Sequence, residues 1–198
     1  MRKGVFFMCQ FHYEMLVNRR VLLDENFCPP CLEEPEIPFA APKGDLKRKM
    51  ERRAAMAACE LFAAGQRQGI FLYGVSGYRP YARQKELFER NPSSLYVAPP
   101  GASEHQTGLA LDVSCASVGL ELEEVFAHTR EGKWLAKHAP LYGFILRYPK
   151  NKTEITGYAY EPWHIRYVTK SLALYLTLTG LTLEEYHSYP LTVPSAAP

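Results

Sequence analysis

The sequence predicts a single α+β domain with a small, largely antiparallel sheet flanked by helices. Helical periodicity precedes and interrupts several short apolar runs, and the turn at residues 150–152 is typical of a hairpin connection. The length of 198 residues suits one domain with a substantial core. The apolar fraction of 47% and the charged fraction of 22% are ordinary for a globular protein.

The composition divides the chain into three segments. Residues 1–43 show little periodicity and become proline-rich toward their end, which predicts an N-terminal arm that wraps the domain. Residues 44–187 are expected to form the domain itself. Residues 188–198 are predicted to be a disordered, proline-rich tail.

The first half of the domain predicts two helices and one buried strand. Apolar residues recur at spacings of three and four from Leu46 to Ala64, so a long amphipathic helix is expected, with Asp45 as its N-cap. Residues 70–75 predict a buried strand. A second helix is expected over residues 81–90 and is ended by Asn91-Pro92.

The second half of the domain is expected to combine short strands and helices. Its apolar and aromatic runs predict strands at 109–113, 142–148, 155–160 and 163–168. Its helical patterns lie at 121–128, 132–138, 170–179 and 183–186.

Two imidazoles and one carboxylate predict a metal site, with His105 and Asp112 in one short stretch and His164 about fifty residues later. Catalytic zinc commonly has three protein ligands drawn from His, Asp and Glu, with a fourth position left to water. Asp112 lies in the apolar run 109–113, where a carboxylate is costly to bury without a cation or donors. A buried ion pair between Asp112 and a histidine, without metal, is the alternative.

With Glu161 added to the three candidate ligands, the set of residues is typical of a hydrolase active site. It lies three residues before His164, where its carboxylate could take a proton from water on the metal. The ion-pair alternative leaves Glu161 unexplained. Because His105 and Asp112 are an odd number of residues apart, a straight strand would point them to opposite faces, so we expect a bend at Gly108. Pro162 predicts an edge, a bulge or the start of a strand.

Three motifs resemble those of the VanY-type D-alanyl-D-alanine carboxypeptidases, in the order of that family: Ser76-Gly77-Tyr78-Arg79, Ser103-x-His105-x-x-Gly108-x-Ala110-x-Asp112 and Glu161-x-Trp163-His164. This zinc D,D-peptidase family is related to the VanX dipeptidases and shares its fold with the Hedgehog domain. The resemblance covers residues 16–186. It implies a zinc metallocarboxypeptidase that hydrolyses the terminal D-Ala-D-Ala bond of peptidoglycan stem peptides or their precursors and releases D-alanine. A serine-type mechanism is not expected.

The resemblance also implies substrate-binding residues. The guanidinium of Arg79 would suit the C-terminal carboxylate of a peptide, because its planar donors match a carboxylate in bidentate fashion. Gln84 matches a family position near the substrate. Ser103 would either donate a hydrogen bond to bound peptide or cap its loop. Trp163 would orient His164 by packing or form an aromatic wall for substrate.

Several alternatives stay open at this point. A D,D-dipeptidase or an L,D-carboxypeptidase would use the same residues, and the loop 91–104 is expected to decide between them. A noncatalytic zinc-containing module that binds cell-wall peptide is the alternative outside the enzymes. Glu161 favours an enzyme, because a binding module needs no base beside the metal.

Composition excludes two classes of partner. The net charge of +2 and the lack of basic blocks interleaved with aromatic residues argue against nucleic acid. No apolar run is long enough to predict a membrane span, and a monomer is expected. The compartment stays open between the cell envelope, if a leader is missing, and the cytoplasm. A local disulfide between Cys28 and Cys31 depends on the same question.

Overall fold

The α+β prediction is confirmed over residues 11–188, the part of the chain that the computed structural model describes. The helices are α1 Arg52–Arg67, α2 Tyr81–Arg90, α3 Arg130–His138, α4 Thr153–Thr156, α5 Lys170–Thr179 and α6 Leu183–Ser188. The strands are β1 Leu32–Glu33, β2 Met50–Glu51, β3 Tyr73–Ser76, β4 Ala110–Ser114, β5 Phe144–Tyr148 and β6 Glu161–Tyr167. Short 3-10 turns lie at Leu46–Arg48, Glu104–Thr107, Ala116–Val118, Glu124–His128 and Ala139–Tyr142.

The central sheet is fully antiparallel, with strand order β3-β4-β6-β5. In this register Asp112 of β4 lies directly opposite His164 of β6. On the other side of β4, Ser76 at the end of β3 also pairs with Asp112. Three polar residues therefore form a row across the middle of the sheet, on side chains that point to one face.

The side chains of β4 and β6 alternate between two buried faces. Leu111, Val113 and Ile165 point into the main hydrophobic core, whereas Asp112 and His164 point to the opposite face. The core is closed by the inner face of α1, where Leu61 is buried beside small residues that allow the helix to approach the sheet: Ala54, Ala57 and Ala58.

A second, smaller core covers part of the polar face. It contains Ile145 of β5, Val168 at the end of β6, and the buried apolar residues of the two C-terminal helices, Ala173, Leu176 and Leu183. The helices α5 and α6 therefore shield one end of this face, and the polar side chains beneath them are buried as well.

The first helix begins later than predicted. Asp45 does accept a hydrogen bond from the Lys47 N–H, but it caps only the 3-10 turn at 46–48. The chain is then extended through β2, which pairs with β1 of the arm, and α1 begins at Arg52. Glu51 is its N-cap and accepts hydrogen bonds from the first turn. Pairing with the distant residues of β1 outweighs the helical periodicity of residues 46–51.

The strand predicted at 155–160 is wrong. Residues 153–156 form the short helix α4, which ends at Gly157 in a left-handed conformation. The final strand, β6, begins at Glu161 and includes Pro162. The N-terminal arm contributes β1, and Arg19 donates a hydrogen bond to the carbonyl oxygen of Gly157. The tail lies outside the described residues from 189 onward.

Within residues 11–188 no helix has both the length and the apolar character needed to cross a bilayer.

The bend predicted at Gly108 is confirmed. Gly108 adopts φ +69°, ends the turn that carries His105, and leads directly into β4. Its carbonyl accepts a hydrogen bond from the Glu51 N–H at 2.8 Å, so β2 packs closely against it. A Cβ at this position would lie 2.8 Å from the Glu51 nitrogen. Glycine is required here by both the backbone angle and the close approach.

Gly108→Ala should therefore lower the free energy of unfolding in two ways. A left-handed alanine costs about 1–2 kcal/mol, and the contact with the Glu51 backbone adds about 1–3 kcal/mol. Gly119→Ala is the matched control, since Gly119 has φ +64° and open space around it, so only the first cost applies. Urea unfolding of both variants measures the difference, and equal losses would show that the close contact carries no cost.

Candidate active site

The three predicted metal ligands meet in one place. His105, Asp112 and His164 each offer one ligand atom, and these atoms all lie within 4.8 Å of one another. The turn at 104–107 supplies His105, and facing positions on β4 and β6 supply the other two. Each of the three residues is at most 4% exposed. The fold brings together ligands that are 59 residues apart at their extremes because β4 and β6 are neighbours in the sheet.

One hydrogen bond orients each imidazole, to Gly77 for His105 and to Asp112 for His164, so that a nitrogen of each ring faces Asp112. The Nδ1 atom of His105 lies 2.7 Å from the carbonyl oxygen of Gly77, so it carries the proton and leaves Nε2 as the acceptor. That Nε2 lies 3.2 Å from Oδ2 of Asp112. The Nδ1 atom of His164 lies 3.0 Å from Oδ1 of the same carboxylate. Asp112 is thus held between two ring nitrogens.

The electrostatics of these three groups suit a bound cation. Burial alone would raise the pKa of Asp112, but the two imidazoles outweigh it and hold that pKa well below its usual range. Burial lowers the pKa of His105. Burial would also lower the pKa of His164, yet the nearby carboxylates of Asp112 and Glu104 raise it to about 9. Two nitrogens and one ionised carboxylate oxygen, facing a cavity, are a donor set that fits divalent zinc.

Glu161 lies beside the ligand cluster, as its spacing predicted. Its Oε2 atom is 3.6 Å from Nδ1 of His164. Residues three apart on a regular strand would face opposite sides, but the pairing of β5 with β6 shifts register between Leu146 and Tyr148. The irregularity falls between Glu161 and Ile165 of β6, a stretch that includes Pro162, where a bulge or strand start was expected. Burial raises the pKa of Glu161 to about 8, although the neighbouring His164 lowers it.

Arg79 reaches the same cavity and is fixed by two side chains. Its guanidinium donates to Oε1 of Gln84 at 2.9 Å and to Oγ of Ser76 at 3.0 Å. Gln84 is 1% exposed and donates to the carbonyl of Ala98 at 2.7 Å. The Arg79 side chain remains 19% exposed, and one of its nitrogens lies 3.9 Å from Oδ2 of Asp112. Gln84 therefore holds the guanidinium next to the ligand cluster.

Ser103 and Trp163 border the same cavity. Ser103 precedes the turn that carries His105 but makes no capping hydrogen bond to it, so its buried hydroxyl faces the cavity. Ser103 does not cap this turn, and its hydrogen bond to a bound peptide stays a prediction. Trp163 is 6% exposed and belongs to the main core, while Tyr96 lies 6.1 Å from its ring. Trp163 therefore packs in the core and also borders the cavity, and its role toward His164 or a substrate stays a prediction.

Residues 47–170 match the family model of VanY, described as D-alanyl-D-alanine carboxypeptidase. The chain belongs to this family. It is 47% identical over 178 residues, 86% of its length, to the Bacillus subtilis protein named "Putative carboxypeptidase YodJ". The matched region spans 65% of the length of that relative. It spans 35% of a D-alanyl-D-alanine carboxypeptidase from Enterococcus faecium and 51% of one from Enterococcus faecalis. The match therefore concerns part of these longer proteins.

Solved structures of VanY-like enzymes share the fold. The LD-carboxypeptidase LdcB superimposes with a TM-score of 0.84 at 46% identity, over 87% of this chain and 84% of LdcB. A mutant of the vancomycin-resistance D,D-pentapeptidase VanY, from a VanB-type cassette, was solved in complex with Zn(II). It gives a TM-score of 0.73 at 30% identity, over 88% of this chain and 98% of that one.

The cavity of this VanY-family chain has a volume of about 490 Å³, large enough for the end of a peptide. Sequence analysis missed several residues that line it, including an acidic pair and three tyrosines: Glu123, Glu124, Tyr96, Tyr148 and Tyr158. Tyr148 enters the site because it pairs with Glu161 across β5 and β6. That register cannot be read from the sequence, although an aromatic residue at the end of a predicted strand was a usable signal. Glu104, next to His105, was also missed.

Proposed function

We propose that the protein is a zinc-dependent carboxypeptidase that removes a C-terminal D-alanine from peptidoglycan stem peptides or their precursors. The observation that carries the proposal is the convergence of His105, Asp112 and His164 at a cavity that also contains Glu161 and Arg79. Three metal ligands, one spare carboxylate and one guanidinium are the groups that metal-assisted cleavage at a peptide's end requires.

His105, Asp112 and His164 would hold the zinc ion. Zinc held by three protein side chains supplies Lewis acidity, which lowers the pKa of a water molecule toward about 7 and polarises a peptide carbonyl. The carbonyl of Gly77 fixes the tautomer of His105 for this role. Asp112 contributes the negative charge, and its burial makes a cation favourable at this position.

Glu161 would act as the general base and then as the general acid. Its carboxylate lies on the cavity side of the ligand cluster, close to where the attacking water must stand. Glu161 takes the proton of that water as it attacks and returns it to the leaving amine as the peptide bond breaks. Burial raises the pKa of Glu161, so its carboxylate takes up a proton more readily and can hold it between the two steps.

Arg79 would bind the C-terminal carboxylate of the substrate. Its contacts with Ser76 and Gln84 order the guanidinium before a peptide arrives, so little side-chain entropy is lost on binding. Arg79 lies 3.9 Å from Asp112, so a carboxylate bound there would place the last peptide bond near the metal ligands. An enzyme anchored in this way removes one residue from the end of the chain. The Ser103 hydroxyl would contribute a further hydrogen bond.

Two specificities remain within this reaction. The family motifs, and 44% identity over 114 residues with the Enterococcus faecium D-alanyl-D-alanine carboxypeptidase, favour cleavage of a D,D bond in a pentapeptide. The 46% identity with LdcB covers more of the chain, 87%, and favours cleavage of an L,D bond in a tetrapeptide. We therefore expect the tetrapeptide to be the better substrate. The loop at 91–104, which contributes Tyr96, Val97 and Ala98 to the cavity, is the region expected to set this preference.

D-alanine release from stem tetrapeptide and pentapeptide tests the proposal. The purified protein should release D-alanine from a free peptide, a zinc chelator should stop the release, and added zinc should restore it. The same peptide with an amidated C-terminus should be cleaved at least a hundredfold more slowly, because Arg79 loses the charge it binds, an effect of about 3 kcal/mol. Mass spectrometry of the products reports both the bond and the rate.

The outcomes separate the alternatives. Release from the pentapeptide alone would replace the L,D preference with D,D cleavage, and release of intact D-Ala-D-Ala would contradict a carboxypeptidase. Equal rates on free and amidated peptides would remove Arg79 from carboxylate binding. A folded, zinc-loaded protein that binds the peptides without cleaving them would support the noncatalytic module instead.

Glu161→Gln should abolish turnover without loss of zinc. The amide is nearly isosteric with the carboxylate but cannot take a proton, so kcat should fall by about a hundredfold to ten-thousandfold. Glu51→Gln serves as the control, because Glu51 is also buried, at 4% exposure, but caps α1 outside the cavity. Near-normal kcat in Glu161→Gln, at full zinc content, would exclude Glu161 as the base.

A further inference from the structure

Four charged side chains are buried together next to the ligand cluster. Glu104, Arg147 and Arg166 are each at most 1% exposed, and Glu184 of α6 is 9% exposed. Arg166 follows His164 by two positions on β6, and Arg147 lies on the neighbouring strand β5. Charged groups this deeply buried are costly unless each is paired. Because the four groups are buried, surface charge does not explain their presence, and they must have another role in the protein.

Both arginines bind one oxygen of Glu104. Arg147 Nε and Arg166 Nη1 each lie 2.7 Å from Glu104 Oε1. The outer nitrogens of Arg147 make a bidentate pair with Glu184, at 2.8 and 2.6 Å. Arg166 also donates to the carbonyl oxygens of Tyr13 and Met15 in the N-terminal arm, so the arm and α6 both hold this cluster in place.

The second oxygen of Glu104 points elsewhere. Glu104 Oε2 is buried and has no hydrogen-bond partner among the described residues, and the same holds for His164 Nε2. These two atoms lie 3.6 Å apart. Two guanidinium groups donate to the other oxygen of this carboxylate, which keeps Glu104 ionised, so Oε2 can only accept a hydrogen bond. Its natural partner is an N–H at His164 Nε2.

We propose that Glu104 is a positioning residue that accepts a hydrogen bond from the Nε2–H of His164. A proton on Nε2 leaves Nδ1, the nitrogen that faces Asp112, free to bind the metal. Buried carboxylates behind histidine ligands fix ring orientation and raise the basicity of the coordinating nitrogen. Arg147 and Arg166 hold the Glu104 carboxylate at the required place. This inference rests on the metal site of the proposed function, but not on its substrate.

Glu104→Gln and Glu184→Gln form a matched pair for the test. Each substitution removes one negative charge from the same buried cluster and leaves the two arginines with one carboxylate. Only Glu104 faces His164, since Glu184 bonds Arg147 and Asn18. Zinc affinity of each purified variant is measured by competition with a chromophoric chelator, alongside its thermal unfolding temperature.

Glu104→Gln should weaken zinc binding by about 10- to 100-fold, whereas Glu184→Gln should change it less than threefold even though both variants lose thermal stability. Equal losses of zinc affinity in the two variants would overturn the proposal, because general damage to the charge cluster would then explain the effect. Unchanged affinity in Glu104→Gln with normal peptide cleavage would also overturn it while leaving the proposed function intact.

A measurement on the unsubstituted protein covers the case in which Glu104→Gln does not fold. In ¹⁵N-labelled, zinc-loaded protein, His164 should show a protonated Nε2 with a slowly exchanging proton, and a metal-bound Nδ1. Long-range ¹H–¹⁵N spectra distinguish the two nitrogens, with His164→Asn used for assignment. A proton on Nδ1 and metal at Nε2 would contradict the role of Glu104, whatever the activity of the enzyme.

Discussion

The pairing of Asp112 with His164 across β4 and β6 is the constraint on which the site depends. Opposed residues in an antiparallel sheet project to the same face with their Cβ atoms about 4.5–5.5 Å apart, which suits two ligands of one ion. The register is enforced by the core on the other face. A slip of one residue would turn Leu111 and Ile165 toward the cavity and bury polar groups against α1. Hydrophobic burial on one face of the sheet therefore fixes the ligand geometry on the other.

The polar face of the sheet remains stable because its charges are paired. Asp112 lies between two imidazoles, and Glu104 lies between two arginines. Removing one partner from such a pair typically costs about 3–5 kcal/mol, so these residues are coupled to folding as well as to the site. The N-terminal arm and α6, which lie far apart in the sequence, supply the remaining hydrogen-bond acceptors for the two arginines. Segments remote in sequence thus support the residues nearest to the predicted metal.

The sequence predicted the parts of the site that depend on local chemistry. Three local features of the sequence predicted geometry that the structure shows. They are a charged Asp112 in an apolar strand, an odd spacing that required a bend at Gly108, and a proline beside Glu161. The α2 helix was also predicted with its observed bounds, Tyr81–Arg90, because Asn91-Pro92 ends it. The roles of the site residues in binding and catalysis stay predictions.

The features that sequence analysis missed depend on contacts between distant segments. Residues 46–51 have helical periodicity, but β1 pairs with residues 50–51 and holds them extended. Glu104 looked like an ordinary polar neighbour of His105, because nothing local showed that Arg147 and Arg166 would meet it. The predicted strand at 155–160 failed for a local reason. A short aromatic run there fits a strand, but Gly157 ends a helical turn instead.

The central claim is that His105, Asp112 and His164 bind one zinc ion with Glu161 beside it. Anomalous diffraction at the zinc edge, from crystals of the zinc-loaded protein, tests this most directly. We expect a single strong peak about 2.0–2.2 Å from His105 Nε2, His164 Nδ1 and an oxygen of Asp112. A zinc-saturated crystal with no peak there, in which Asp112 and His164 keep a direct ion pair, would contradict it.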